Sequence, residues 1–304
     1  MFNPMRTNNR RLKAALQAVN LERLFQDFAD ESIADDILDQ LTEIDLEKLG
    51  VIKLGDRKRL ISIFKKMYEK RSPNTSMVEV HGGTLPEDSE FKGLNVKGFL
   101  IGRHPVMQEE WEWERVWSLS NSYEIGVGKA DGSFSPVSHV TWYDAVKWCN
   151  AKSEHEGFTP PYECDSTIYR KGTFGPSGSK MITLNSHADG YRLPLEAEWV
   201  WAARGGLAGQ SLFSNIPENL AAPKLEDASQ DAGSLEQIYN ELGIFNMSTN
   251  IWEWCWDLDD TQTAHRIRSA IWSDDDKSHK IEPRISRSPD SHLSVLGFRL
   301  ARNL

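Results

Sequence analysis

Cysteine is scarce in this chain: only Cys149, Cys164 and Cys255 occur among 304 residues, widely spaced and with no CxxC pair. That scarcity argues against a disulfide framework or a cysteine-rich zinc site and points to a reducing compartment. Long apolar runs are missing as well, since no window approaches the roughly 18 consecutive apolar residues that a membrane-spanning helix requires. The first residues, MFNPMRTNNRRLKAALQAV, are basic but have neither the apolar stretch nor the small-residue cleavage site of a secretory leader. A soluble, cytoplasmic protein with no membrane partner is expected. Positive charge is in deficit too: 35 Lys plus Arg stand against 45 Asp plus Glu, for a net charge of -10, so nucleic acid is disfavoured as a partner. Tryptophan, by contrast, is abundant at eleven residues, enough to fill a loop-rich core, form a recognition surface, or both.

The length predicts two domains. Between Leu12 and Glu69, charged and apolar positions alternate at helical spacing. Leu21, Leu24, Phe25 and Phe28 make one apolar face, and Ile33, Ile37, Leu38 and Leu41 repeat it in a second helix. Thr42 with Asp45 reads as a helix start, Gly50 and Gly55 as breaks, and Asp56 to Tyr68 as a final helix. A bundle of about five short helices is expected. The order of these pieces, and DLEKLGVIKLGDRKRLISIF in particular, resembles a sterile alpha motif domain over residues 12–70. The resemblance implies an interaction module that associates with itself or with another such domain. Asp35, Asp36 and Asp39 would face Arg57, Lys58 and Arg59, although charges on exposed helix faces are also found merely solvated. KRSPNTS, residues 70–76, reads as a linker.

From Met77 the texture changes to short strand-like runs, glycines, prolines and irregular connections. PVSHVTWYDAVKWCN predicts a turn into an amphipathic helix, and YRLPLEAEWVWAARGG a helix between Pro194 and the Gly205–Gly206 stop. RIRSAIW and LGFRLAR predict closing strands. These stretches, with HGGTL and FNMSTNIWEWCWD, occur in the order seen in the formylglycine-generating enzyme family, which they resemble over residues 77–304. The resemblance implies a C-type-lectin-like fold. The whole chain is then α+β: a small all-α five-helix domain followed by a mixed domain of the formylglycine-generating type.

Asn246 and Glu253 can place an amide oxygen and a carboxylate around a hard cation, with carbonyls between them completing an oxygen shell. The resemblance assigns a structural calcium to Asn246, Thr249, Ile251 and Glu253, with Thr249 standing where glycine is usual. Asn219 with Leu220 is a candidate second cation site. The alternative makes Asn246 a turn former and Glu253 the buried partner of Arg192 or Arg299.

The family's oxidase chemistry uses two cysteines, five apart, that bind copper and attack a substrate thiol. The matching positions after Trp272 hold Asp274 and His279, and neither replaces a thiolate. No catalytic residue is therefore assigned and no redox metal is expected. An iron- or copper-dependent oxidase with a relocated site is the enzyme alternative, and a noncatalytic scaffold the third reading.

The segment 272–297 is polar and irregular, and many of its residues belong to the set reached when an AAC codon changes at its adenines. That layout resembles the variable region of diversity-generating retroelement proteins. It implies a noncatalytic ligand-binding protein whose contacts to a protein or other ligand are Trp272, Asp274, His279, His292, Leu293 and Val295, on loops flanking residues 284–287.

Overall fold

The computed structural model describes residues 9–34, 37–68, 76–130, 135–174, 180–208, 239–247, 251–273, 278–281 and 284–304. Seven α-helices and fourteen strands lie among them. In the amino-terminal region the five expected helices appear as four α-helices and two 3-10 turns. Helix α1 spans Arg10–Ala18, α2 Phe25–Asp30, α3 Glu43–Lys48 and α4 Leu54–Tyr68. The apolar face read from Leu21 to Phe28 divides between a 3-10 turn, Glu22–Leu24, and α2. The second helix expected around Ile33 to Leu41 is reduced to a 3-10 turn at Leu38–Gln40, so apolar periodicity alone overstated it. Thr42 starts α3 as expected: its hydroxyl accepts the Asp45 N–H at 3.3 Å and the Asp45 carboxylate accepts the Thr42 N–H at 2.9 Å. Leu12, Leu16, Phe28, Leu38, Leu46, Leu60 and Phe64 are buried together as the core of this bundle.

The carboxy-terminal region is assembled from short strands. Strands β1 (Met77–Val80), β2 (Gly83–Thr84), β3 (Asn95–Val96) and β4 (Phe99–Gly102) precede α5 (Gln108–Ser120) and α6 (Trp142–His155). There follow β5 (Tyr162–Cys164), β6 (Thr167–Ile168), β7 (Ile182–Leu184) and α7 (Glu196–Ala203). The remaining strands are β8 (Trp252–Leu258), β9 (His265–Arg268), β10 (Ala270–Ser273), β11 (Ser278–Ile281), β12 (Ile285–Arg287), β13 (Leu296–Phe298) and β14 (Ala301–Asn303). The four-stranded sheet runs β12-β9-β8-β13, its β8–β13 pair being parallel, and β4 sits between β1 and β14 in a three-stranded antiparallel sheet.

Both helices predicted from sequence form where expected. A second capping box, Thr141 with Asp144, starts α6, and α7 ends before Gly205 at φ 81° and Gly206 at φ 57°, backbone that side-chain-bearing residues rarely adopt. Among the described residues eight tryptophans are buried, Trp111, Trp148, Trp199 and Trp254 completely, so core filling is their main role. Helices α1 and α4 lie against α5, whose Val116 is buried within the amino-terminal core cluster. No helix among the described residues is long and apolar enough to cross a membrane.

Candidate functional site

The two motifs that most strongly set the family resemblance, NIWEW and GFR, meet in space because β8 and β13 pair in parallel with Gly297 opposite Glu253. A Cβ at Gly297 would stand 2.3 Å from the Val137 carbonyl oxygen, so only glycine permits this approach. The next motif residue but one, Arg299, is fully buried. Its Nε and Nη2 donate to the two Glu253 oxygens at 3.0 and 2.9 Å, while Nη1 and Nη2 also donate to the carbonyls of Gly102 and Phe245 at 2.7 and 2.8 Å. Trp199 Nε1 adds a third donor to Glu253 at 2.7 Å.

This arrangement bears directly on the calcium expectation. Glu253 is the partner of Arg299, so a guanidinium already compensates its charge and both of its oxygens accept hydrogen bonds. Asn246 is buried with φ 60°, the left-handed backbone of a turn former. Ile251 leads into β8, whereas Thr249 and the second candidate, Asn219, lie outside the described residues. Among the described residues no group of three His, Cys, Asp or Glu side chains is placed to hold a metal ion. Of the four expected ligands the structure therefore describes Asn246, Ile251 and Glu253, with Glu253 already engaged by Arg299 and Trp199.

All three cysteines are buried and free. Burial pushes the Cys149 and Cys255 thiols well above their ordinary pKa, which keeps them protonated and unreactive.

The proposed contact residues divide in the fold. Trp272 and His279 are opposite each other in the backbone register of β10 with β11. Asp274 lies outside the described residues. His292 is exposed, its Nδ1 3.1 Å from the Asp290 carbonyl oxygen, and Leu293 is 37% exposed. Val295 must be corrected: at 4% exposure it packs in the main core, and its carbonyl accepts the Trp252 N–H at 2.6 Å. Its side chain has no surface to offer a ligand. Alternating polar and apolar letters in SHLSVL gave no sign of this, because the chain there is a loop entering a strand.

Sequence reasoning also missed what anchors this face. Glu196, the first residue of α7 and 1% exposed, takes Arg284 in a forked pair, Nε at 3.2 and 3.1 Å and Nη2 at 2.8 Å, with Arg268 Nε at 3.3 Å. Glu90 pairs with Arg268 and Arg284, and both guanidiniums lie over the Phe91 ring at 5.9 and 5.3 Å. Burial, and after it the neighbouring Arg284 charge, push the Arg268 pKa down to about 9. In the sequence Arg268 and Arg284 flank a segment with four carboxylates of its own, Asp274, Asp275, Asp276 and Glu282, so nothing there signalled that they would meet Glu90 and Glu196 instead.

Comparison with known proteins agrees with this geometry. Residues 64–304 match the family model described as the sulfatase-modifying factor enzyme 1-like domain, and residues 7–68 match that of the sterile alpha motif. The chaperone protein LppX of Paenibacillus barcinonensis is 32% identical over 211 residues, covering 60% of this chain and 71% of that protein. Inactive C-alpha-formylglycine-generating enzyme 2 of Bos taurus is 32% identical over 134 residues, but the match covers only 44% of it. Among solved structures, the crystal structure of CarF superposes with a TM-score of 0.60 at 24% identity, covering 76% of this chain and 99% of CarF. Treponema denticola variable protein 1 superposes with a TM-score of 0.56 at 24% identity, covering 77% of this chain and 99% of that one.

Proposed function

Because the chain belongs to the sulfatase-modifying factor enzyme 1-like domain family, we propose that it is a noncatalytic member of it, a ligand-binding protein that displays a recognition face on an intact scaffold. The observation that carries this reading is the fate of the thiols. The three cysteines of the sequence are all buried, and Asp274 and His279 occupy the positions where the family resemblance calls for the copper-binding pair. The scaffold meanwhile keeps its Glu253–Arg299 staple and the glycine that β13 requires.

In this reading, ligand meets the β10–β11 hairpin and the exposed loop at His292 and Leu293, held in place by the Arg284–Glu196 fork. That a variable protein and an inactive formylglycine-generating enzyme are among the relatives supports it. The sterile alpha motif would supply valency through self-association, with Ile52 and Leu54 exposed near the basic start of α4 as its apolar contact. The compartment would be the cytoplasm.

The test is to incubate the full chain, with and without added copper, with a cysteine-containing sulfatase peptide and look for the aldehyde by mass spectrometry. No aldehyde and no stoichiometric copper or iron are expected. In parallel, peptides selected from a displayed library on the wild-type chain should be lost on substituting Asp274, His279 and His292 together by alanine. Aldehyde formation, or unchanged capture by the triple variant, overturns the proposal.

A further inference from the structure

A second concavity, built entirely from framework residues, opens beside the sheet edge where β8 ends and β9 begins. It measures about 310 Å³, at the small end of ligand pockets, and is lined by Trp142, Trp256, Phe174, Met181, His265 and Asp257 among others. Its aromatic walls are held in place. The Trp142 ring stacks on His265 at 3.7 Å and lies 5.3 Å from Trp256, which in turn stacks on Tyr162 at 5.0 Å. Trp142 Nε1 donates to the Cys255 carbonyl at 3.1 Å, fixing the ring from its edge.

The charges in this pocket are one-sided. His265 Nδ1 lies 2.8 Å from the Trp256 carbonyl oxygen and must be the donor; burial pushes the ring's pKa down to about 4, so it is neutral at pH 7. Asp257 uses Oδ2 to accept the Glu196 N–H at 2.6 Å at the start of α7; no lysine or arginine is among the described lining residues, and Lys180, 5.5 Å from the centre of the Phe174 ring, is itself paired with Asp165 at 3.4 Å. A carboxylate with no ion pair of its own among the described residues, in a lining that includes two tryptophans and a phenylalanine, is complementary to a positive ligand.

The kind of cation follows from what the walls lack. A divalent metal needs six or more oxygen donors, and this lining offers a single carboxylate. A primary ammonium has three N–H donors to satisfy and would meet only Asp257 and the Gln262 amide. A methylated head needs no hydrogen bonds and gains from every ring. We infer that this pocket binds a small quaternary ammonium group, its charge set against Asp257 and its methyls against Trp142, Trp256 and Phe174. The site uses none of the residues of the proposed recognition face and stands or falls independently of it.

The test is calorimetric titration of the full chain with choline and with tetramethylammonium, using 3,3-dimethylbutanol as the neutral isostere of choline. Saturable binding of both cations is expected, with the isostere at least about tenfold weaker. Asp257→Asn removes the charge but keeps an acceptor for the α7 N–H, and should weaken choline by about tenfold or more. Met181 is 54% exposed, so Met181→Arg places a repelling cation in the lining without disturbing the core and should weaken choline likewise. If Asp257→Asn fails to fold, Met181→Arg alone decides. Absence of saturation with either cation, equal binding of the isostere, or unchanged choline affinity in the folded variants overturns the inference.

Discussion

The amino-terminal bundle and the carboxy-terminal domain keep their shapes by different means. In the bundle the buried side chains are apolar, and no polar or charged side chain among its described residues is buried. In the larger domain Glu114, Lys152, Arg192, Glu196, Glu253, Arg268 and Arg299 are all buried, each tied to an ionisable partner side chain, as Glu114 is to His155, Lys152 to Glu156 and Arg192 to Glu198. A helical bundle satisfies its own backbone within each helix, so its core needs only apolar surface. A domain of short strands and long irregular connections leaves backbone carbonyls far from any ladder, and buried guanidiniums such as Arg299 gather them.

Removing a staple gives the largest expected effect. Arg299→Leu leaves the Glu253 carboxylate buried without its counter-charge and strips the Gly102 and Phe245 carbonyls of a donor, a loss of about 3–5 kcal/mol by the usual cost of breaking a buried pair. Denaturant unfolding measures it, and a double variant, Glu253→Leu with Arg299→Met, should cost less than the single change. A loss below about 1 kcal/mol for Arg299→Leu would erase the contrast between the two regions.

Truncation in the bundle comes next. Leu46→Ala should cost about 2–5 kcal/mol through lost burial and a cavity, with no charge left behind and therefore little change between pH 5 and 8.

Acid should separate the regions further. His265 has a folded pKa of about 4 against an ordinary 6.5. Its neutral form is the one the fold prefers, so this contribution is complete above pH 6.5 and is lost as pH falls toward 4, up to about 3 kcal/mol. Hydrogen exchange followed from pH 7 to 4.5 should show β8 and β9 loosening before α1 and α4, and His265→Gln should flatten that response.

The smallest effects are at a cap and at the metal expectation. Thr141→Ala removes the hydroxyl that accepts the Asp144 N–H and should cost about 1 kcal/mol. Chelation should leave the melting temperature unchanged, because Glu253 is neutralised by Arg299. A drop of several degrees with EDTA, restored by calcium, would show that the cation displaces the arginine after all.

Much of this was legible in the chain itself. Periodicity located α4, α6 and α7, Thr42 with Asp45 marked a helix start, and glycines marked helix ends, because these depend on neighbours a few residues apart. Alternation misled at Ile33 to Leu41, where an apolar helical pattern yields only a 3-10 turn at Leu38–Gln40. The resemblance of segment 272–297 to a variable region misled at Val295, a core residue inside a polar-looking loop.

What the sequence by itself determined was the order of the helical and the strand-rich regions, carried by local spacing, and their fold class, carried by the family motifs the chain resembles. Only the tertiary structure decided which carboxylate meets which guanidinium. Arg299 rather than Arg192 took Glu253, Arg192 took Glu198, and Arg284 closed on Glu196 across 88 residues of chain. A charge carries no label for its partner in sequence; the parallel pairing of β8 with β13 brings two distant motifs within hydrogen-bond distance, and burial then makes that one pairing obligatory.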